Sequence, residues 1–142
     1  MSIPALLEEI RGLDGYALST SAEALPRVLG EARDAGIPFR VASWFRGFRP
    51  TRSRFPLESW EPVLYVPARR IVLEAPPLDS LVYALRVRKT EPARVMGAKP
   101  APFWGWIFRL LAARPGDTFL DLFPGTGAGA RAWRILEEKG RP

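Results

Sequence analysis

The sequence predicts a small α/β domain with three layers, in which a sheet of about four to five strands is flanked by helices. Short apolar segments of strand length alternate with longer segments whose apolar residues recur at helical spacing. Residues 117–133 predict a buried strand, a glycine-rich turn and a helix in direct succession. The chain has 142 residues, of which 47% are hydrophobic, so we expect one domain over residues 1–142.

The first elements are predicted to be a helix, a strand and a helix. Ser2 is a suitable N-cap for a helix that ends at Gly12, and residues 16–19 form a short apolar strand. Residues 20–23 have the capping-box spacing of a second helix. Pro26 follows closely, so this helix either begins near Pro26 or is kinked there.

The rest of the chain predicts further strands and two more helices. Residues 39–45 and 62–66 read as strands joined by an arginine-rich loop, and residues 81–87 as a third strand. Residues 103–113 form a helix that is apolar nearly all round, which is typical of a helix buried between layers. The last helix is expected around residues 130–138.

The glycine-rich turn is the first candidate site. A short apolar run, residues 119–122, contains Asp121 and is followed at once by Gly125, Gly127 and Gly129. Glycine permits positive φ and a close approach of the backbone to a ligand, and the amides that open the next helix can bind a polar group. Such turns also occur where nothing is bound, so the two interpretations stay open.

Three segments in this region carry a family resemblance. Residues 97–100 contain a Lys-Pro pair, residues 114–117 a Pro-Gly-Asp turn, and residues 121–127 the pattern Asp-x-Phe-x-Gly-Thr-Gly. In this respect the chain resembles permuted S-adenosylmethionine-dependent DNA (adenine) methyltransferase-like proteins of the phage type. Residues 16–21 resemble the strand after the catalytic motif of that family, and residues 44–46 with 60–64 resemble the hairpin beyond it.

The resemblance covers most of residues 12–136 and implies a Rossmann-like, methyltransferase-like fold. It also implies S-adenosylmethionine as the cofactor. The residues that match the cofactor-binding pattern are Lys99, Pro100, Asp121, Phe123, Gly125, Thr126 and Gly127.

Two parts of the family pattern are missing. The catalytic tetrapeptide, an Asp, Asn or Ser followed by two prolines and an aromatic residue, should precede Tyr16, and nothing there resembles it. The acidic residue that would bind the ribose should follow the last helix, but the sequence ends at Pro142. We therefore predict no catalytic residue. Residues 68–91 match the family poorly, which suggests an insertion.

The missing tetrapeptide leads to an architectural expectation. Its strand would lie between the strand at residues 119–122 and the strand at residues 16–19. Unpaired backbone groups buried at such a gap would each cost about 1 to 3 kcal/mol. We therefore expect these two strands to pair directly and to narrow the cofactor cleft, with residues 39–45 and 62–66 continuing the sheet beyond Tyr16.

Composition narrows the kinds of site and partner. The net charge is +6, from 21 Lys and Arg against 15 Asp and Glu, which favours an acidic partner such as nucleic acid. The sequence contains no Cys and no His, so we expect no disulfide and no metal site. The sequence has neither a membrane-spanning apolar run nor a signal-peptide charge pattern, so we expect no membrane and a cytoplasmic protein.

Residues 44–55 form the second candidate site, because arginines and aromatic residues alternate there. Such a composition can contact phosphates while bases stack on rings, and in the resembled enzymes this loop faces DNA. A solvated hairpin tip with aromatics folded into the core is the alternative. The residues in question are Arg46, Arg49, Arg52, Arg54, Trp44 and Phe48.

These observations favour a non-catalytic, methyltransferase-like binding or regulatory protein. Its partner would be nucleic acid, or an acidic protein of the nucleic-acid machinery such as RNA polymerase, contacted by the basic aromatic surface. The alternative is a DNA N6-adenine methyltransferase in which another polypeptide supplies the catalytic strand. A third interpretation is a structural relic or a fragment.

Overall fold

The computed structural model of the protein describes residues 1–47, 56–71, 75–83 and 99–142. Phe48, Arg49, Arg52 and Arg54 lie outside these ranges, as do residues 72–74 and 84–91 of the expected insertion at 68–91. Within them the helices are α1 (Ile3–Arg11), α2 (Leu25–Asp34), α3 (Ala101–Leu110) and α4 (Ala128–Lys139). The strands are β1 (Tyr16–Ser19), β2 (Arg40–Phe45), β3 (Trp60–Val66) and β4 (Ser80–Val82).

The four strands form one mixed sheet in the order β1-β3-β2-β4. Strand β3 is antiparallel to both β1 and β2, whereas β2 and β4 are parallel. Strands β1, β2 and β4 therefore run in one direction and β3 runs in the other. Leu64 of β3 lies opposite Leu18 on one side and Val41 on the other, which fixes the register.

Helices cover both faces of the sheet. Leu64 and Tyr16 contribute to a core with α1 and α2, and Trp44 and Val63 contribute to a second core with α3 and α4. The alternation of side chains along each strand sends successive residues to opposite cores. The expected mixed α/β class is thus confirmed, with a four-stranded sheet between two pairs of helices.

Helix α1 follows its capping signals, whereas the capping box expected at residues 20–23 is wrong: the N-cap of α2 is Ala24, without a side-chain cap. Ser2 Oγ accepts a hydrogen bond from Ala5 N at 3.3 Å, and Gly12 closes α1. Helix α2 begins at Leu25, so Pro26 lies in its first turn. There the missing proline N–H costs no helical hydrogen bond, which is why the helix begins at this point and not earlier.

The expected strand at residues 119–122 is wrong. This described segment has no strand conformation and does not pair with β1. Phe119 instead packs its ring against Phe108 of α3 and Trp133 of α4, at centroid distances of 5.4 and 5.2 Å. Ring packing rather than a hydrogen-bonded ladder holds the segment. The part of the expectation that β3 and β2 continue the sheet beyond Tyr16 is confirmed.

Tyr16 links β1 to the chain that follows α2, and its ionisation provides a test of the fold. The Tyr16 hydroxyl donates to Pro38 O at 2.7 Å, and burial raises the pKa of Tyr16 to about 12. Tyr16→Phe should lower the free energy of unfolding by about 1 kcal/mol at neutral pH, because Pro38 O loses its donor. Urea denaturation of both proteins measures this difference.

The pH dependence of that difference has a defined sign. The pKa is raised in the folded state, so the stability due to the neutral phenol is complete below about pH 10 and is lost as the pH rises through about 12. The difference in the free energy of unfolding between wild type and Tyr16→Phe should therefore become smaller at about pH 11. A difference that stays constant over this pH range would mean that burial does not disfavour the phenolate.

Candidate ligand-binding cleft

A cleft with a volume of about 1050 Å³ lies between β1 and residues 118–126. Residues 16–21 form one wall, and the segment that contains the glycine-rich turn forms the other. Apolar side chains of α1 and α3 close the cleft from the two helical layers. These side chains are Leu6, Ile10, Phe103, Trp104, Ile107 and Phe108.

The expected closure of this gap is wrong. Ala17 and Ser19 of β1 line the cleft and are exposed, and the segment across from them forms no ladder with β1. The expectation assumed that unpaired backbone groups at the gap would be buried. Because the cleft is open to solvent, water can satisfy these groups, and the driving force for closure disappears.

Most of the residues predicted to bind a cofactor meet at this cleft. Two others cap the adjacent helices: Pro100 is the N-cap of α3 and Gly127 the N-cap of α4. The residues that line the cleft are Lys99, Asp121, Phe123, Gly125 and Thr126.

The glycine-rich turn is held by backbone and carboxylate hydrogen bonds. Asp121 Oδ1 accepts from Phe123 N at 3.1 Å, and Gly127 N donates to Pro124 O at 2.7 Å. Gly127 has φ +79°, a left-handed conformation that residues with a Cβ rarely adopt. Its position as N-cap turns the chain into α4, so that the first amides of the helix point out of the turn.

Gly129 allows α4 to approach the turn and α3 closely. A Cβ at this position would lie 2.8 Å from Asp121 Oδ2 and 2.9 Å from the Trp104 ring. No larger residue fits without a shift of one of these neighbours. The absence of a side chain at Gly129 therefore sets where Asp121 lies in the cleft.

An ion-pair chain holds Lys99 at the cleft. Lys99 Nζ lies 2.7 Å from Glu61 Oε2, and Glu61 Oε1 lies 3.1 Å from Arg46 Nε. The ammonium also lies 4.9 Å from the Trp44 ring centroid and 5.4 Å from that of Phe103. Such cation–π contacts and a shared carboxylate fix the Lys99 amine in place.

Two residues of the basic aromatic segment lie inside the fold. Trp44 is fully buried and donates through Nε1 to Tyr83 O at 3.1 Å, and Arg46 is 8% exposed. This burial does not fit the surface contacts expected of them. Phe45 and Trp60, which were not predicted as site residues, are exposed instead. The alternation of side chains along β2 indicates only that Trp44 and Phe45 face opposite sides, and not which of the two is buried.

A second ion pair at the cleft was not predicted. Arg69 forms a bidentate pair with Asp117, with both N–O distances 2.7 Å, and donates to Ala112 O at 2.6 Å. Asp117 also accepts from Arg114 N at 3.0 Å. The hydrogen bonds from Arg69 hold the pKa of Asp117 below its usual range. Arg69 lies in the expected insertion, residues 68–91, and no sequence motif indicated that it would be part of the site.

Two ion pairs account for the basic side chains among the described residues that line the cleft. Lys99 is paired with Glu61, and Arg69 with Asp117. Asp14 and Asp121 are the other ionisable acids among the described residues that line the cleft. The lining thus favours a ligand with positive charge.

Other kinds of site are not seen in the described ranges. Residues 1–47, 56–71, 75–83 and 99–142 contain no cluster of three or more His, Cys, Asp or Glu side chains that could hold a metal ion. The same ranges contain no helix of sufficient length and hydropathy to cross a membrane.

The close packing at Gly129 gives a first test of the cleft architecture. Gly129→Ala should lower the free energy of unfolding by about 1 to 3 kcal/mol, because the new methyl group overlaps Asp121 and Trp104. Gly105→Ala is the matched control: it lies in α3, where an added methyl group would meet no atom within 4 Å, and should stabilise the helix by up to about 1 kcal/mol. Chemical denaturation measures the free energy of unfolding of both variants. Equal changes in the two variants would contradict the close packing at Gly129.

The Arg69–Asp117 pair gives a second test. The pKa of Asp117 is depressed in the folded state, so its stabilising effect is present above the usual carboxylate pKa and is lost as the pH falls through the folded value. Asp117→Asn should lower the melting temperature by a few degrees at neutral pH and have less effect in acid. Asp34→Asn, at an exposed ion pair, is the control and should change little. An Asp117→Asn effect that persists unchanged in acid would argue against the ion pair.

Comparison with known proteins adds no family to this description. No protein-family model matches the chain, and no curated protein matches it. The cleft and the residues that line it are therefore the basis for a proposed function.

Proposed function

We propose that this chain is a methyltransferase-like domain that binds S-adenosylmethionine in the cleft and does not transfer a methyl group by itself. One observation carries the proposal: residues of the cofactor-binding pattern, separated in sequence as far as Lys99 and Thr126, line one open cleft. An isolated glycine-rich turn would be weak support. A turn that faces a cleft of 1050 Å³ is stronger support, because small-molecule sites have about this size.

The chemistry of the cleft suits such a ligand. S-adenosylmethionine carries a sulfonium and an ammonium group, which Asp121 and Asp14 would stabilise. Its carboxylate could accept hydrogen bonds from the first amides of α4 beside Gly127. The apolar and aromatic side chains of Phe123 and α3 would accommodate the adenine ring.

The proposed role is binding or regulation, since the sequence before Tyr16 offers no tetrapeptide to position a target amine. Holding a cofactor contributes to catalysis only when the acceptor is held in line with it. The alternative, an adenine methyltransferase completed by another polypeptide, is favoured by the open gap beside β1.

The charge of Asp121 provides the test of cofactor binding. Asp121→Asn keeps an oxygen that can accept from Phe123 N but removes the negative charge. We expect affinity for S-adenosylmethionine to fall about tenfold, which corresponds to about 1.4 kcal/mol. Affinity for S-adenosylhomocysteine, which lacks the sulfonium charge, should fall less. Isothermal titration calorimetry measures both ligands.

Glu137→Gln is the matched control, because it removes an exposed carboxylate on α4 outside the cleft lining. It should leave both affinities unchanged. Wild-type protein that binds neither ligand would refute the proposed cofactor site. Equal losses for both ligands in Asp121→Asn would refute the assigned role of its charge.

A second candidate function, nucleic-acid binding, is favoured by an apolar row on the sheet. Trp60, Phe45 and Val82 lie directly opposite one another on β3, β2 and β4, and are 41, 37 and 78% exposed. Bases can stack on the rings of Trp60 and Phe45. Arg49, Arg52 and Arg54 lie in the sequence that joins β2 to β3 and give that segment positive charge. An acidic protein such as RNA polymerase is the other partner that this charge would suit.

Substitutions in this row and in the arginine-rich segment distinguish base stacking from electrostatic attraction to phosphates. Phe45→Ala with Trp60→Ala should weaken binding of a single-stranded oligonucleotide by about 1 to 3 kcal/mol per lost stack. Leu78→Ala, also highly exposed, is the control. Replacing Arg52 and Arg54 by Ala should flatten the log–log salt dependence by roughly 0.7 per lost contact with a single strand. Fluorescence anisotropy at several salt concentrations measures each effect, and wild-type behaviour of all these variants would contradict the candidate.

A further inference from the structure

We propose that the open edge of β1 binds an extended, apolar segment of a second polypeptide, which adds to the sheet as a fifth strand inside the cleft. This deepens the alternative of a second polypeptide beside β1, because it names the chemistry of the bound segment and the backbone groups that would hold it. It does not rest on the cofactor proposal, since the ladder is formed by the backbone of β1, although Asp14, Asp121 and α3 are shared with the proposed cofactor site.

The hydrogen-bond pattern of the sheet shows which backbone groups face the cleft. Thr20 N donates to Pro62 O at 3.1 Å, so the hydrogen-bonded pairs of β1 and β3 continue at Leu18 and Tyr16. The N–H and C=O groups of the alternate residues, Ala17 and Ser19, then point away from β3. Both residues are exposed and line the cleft.

Within the described part of the chain, this edge lacks the features that block strand addition. Natural edge strands are commonly protected by proline, by lysine or by a covering segment. Strand β1 has the sequence Tyr-Ala-Leu-Ser, without proline or charge. Among the described residues, the segment nearest to this edge is residues 118–126 across the cleft, and this segment forms no ladder with β1.

The two sides of the cleft define the chemistry of the occupant. Leu6 and Ile10 of α1 line it from one layer, and Phe103, Ile107 and Phe108 of α3 from the other. A strand inserted between them would place alternate side chains against both layers. Strands buried on both faces are nearly continuous runs of Val, Ile and Leu. The partner segment is therefore extended and apolar on both faces, and matches the four residues of β1 in length.

The acidic residues at the cleft indicate which residues should flank the apolar segment. Asp14 precedes β1 directly, and Asp121 lies on the opposite wall. Basic residues that flank an apolar core would be attracted to these carboxylates. We therefore take as probe the acetylated and amidated peptide Lys-Val-Ile-Leu-Val-Lys, with a matched peptide in which the four apolar residues are N-methylated and cannot donate to a ladder.

Amide hydrogen exchange on the full chain, without added cofactor, tests the proposal. With saturating probe, exchange at the Ala17 and Ser19 amides should slow by at least about tenfold, because both amides gain acceptors. The Val82 amide should not change: the parallel pairing with β2 directs it outward at the other edge of the sheet. The N-methylated peptide should protect neither edge.

Proline substitution at each edge supplies the matched protein variants. Ala17→Pro removes an outward donor of β1 and should weaken probe binding at least about tenfold. Val82→Pro removes an outward donor of β4 and should bind the probe like wild type. If circular dichroism shows that Ala17→Pro is unfolded, the comparison of the two peptides on wild-type protein decides the question.

Three outcomes would overturn the proposal. The first is unchanged exchange at Ala17 and Ser19 with saturating probe. The second is equal protection by the N-methylated peptide, which would mean that no ladder forms. The third is protection that rises with protein concentration in the absence of probe, which would identify the occupant as a second copy of this chain. Cofactor titrations are carried out without probe, so failure here leaves the cofactor site to its own test.

Discussion

The pairing of β3 with two strands at once is the constraint on which the rest of this structure depends. Its backbone groups alternate between β1 and β2, so β3 joins the two halves of the sheet. Its side chains alternate as well, and Val63 and Leu64, both fully buried, belong to opposite cores. Glu61, on the same strand, also connects Arg46 to Lys99. Register, layering and the position of Lys99 therefore depend on one strand.

The elements that local chemistry determines could be predicted from the sequence. Ser2, Gly12 and Pro26 act within a few residues of their own position, so the ends of α1 and α2 follow from them. The glycine-rich turn was also predictable, because Gly127 needs no distant contact to adopt a positive φ. Each residue of the cofactor pattern lies beside a helix or turn that the sequence marks, but the position of Lys99 at the cleft also depends on Glu61 of β3.

The features that depend on distant contacts could not be predicted in this way. Residues 119–122 are apolar enough for a strand, but whether they pair depends on what lies beside them, and Phe119 finds aromatic partners on α3 and α4. Arg69 and Asp117 are 48 residues apart, and no motif links them. Trp44 is buried because it lies on the side of β2 that faces α3. Which side of β2 faces α3 can be known only once the orientation of the whole sheet is known.

The close contact between Gly129, Asp121 and Trp104 also makes the cleft observable by optical methods. The indole of Trp104 lines the cleft, and a methyl group at Gly129 would overlap both this ring and the Asp121 carboxylate. Tryptophan emission responds to nearby charge and to contact with water. Any ligand or strand that enters the cleft and displaces Asp121 must alter the surroundings of that ring. The protein thus carries an intrinsic fluorophore at the place where occupancy has to be detected.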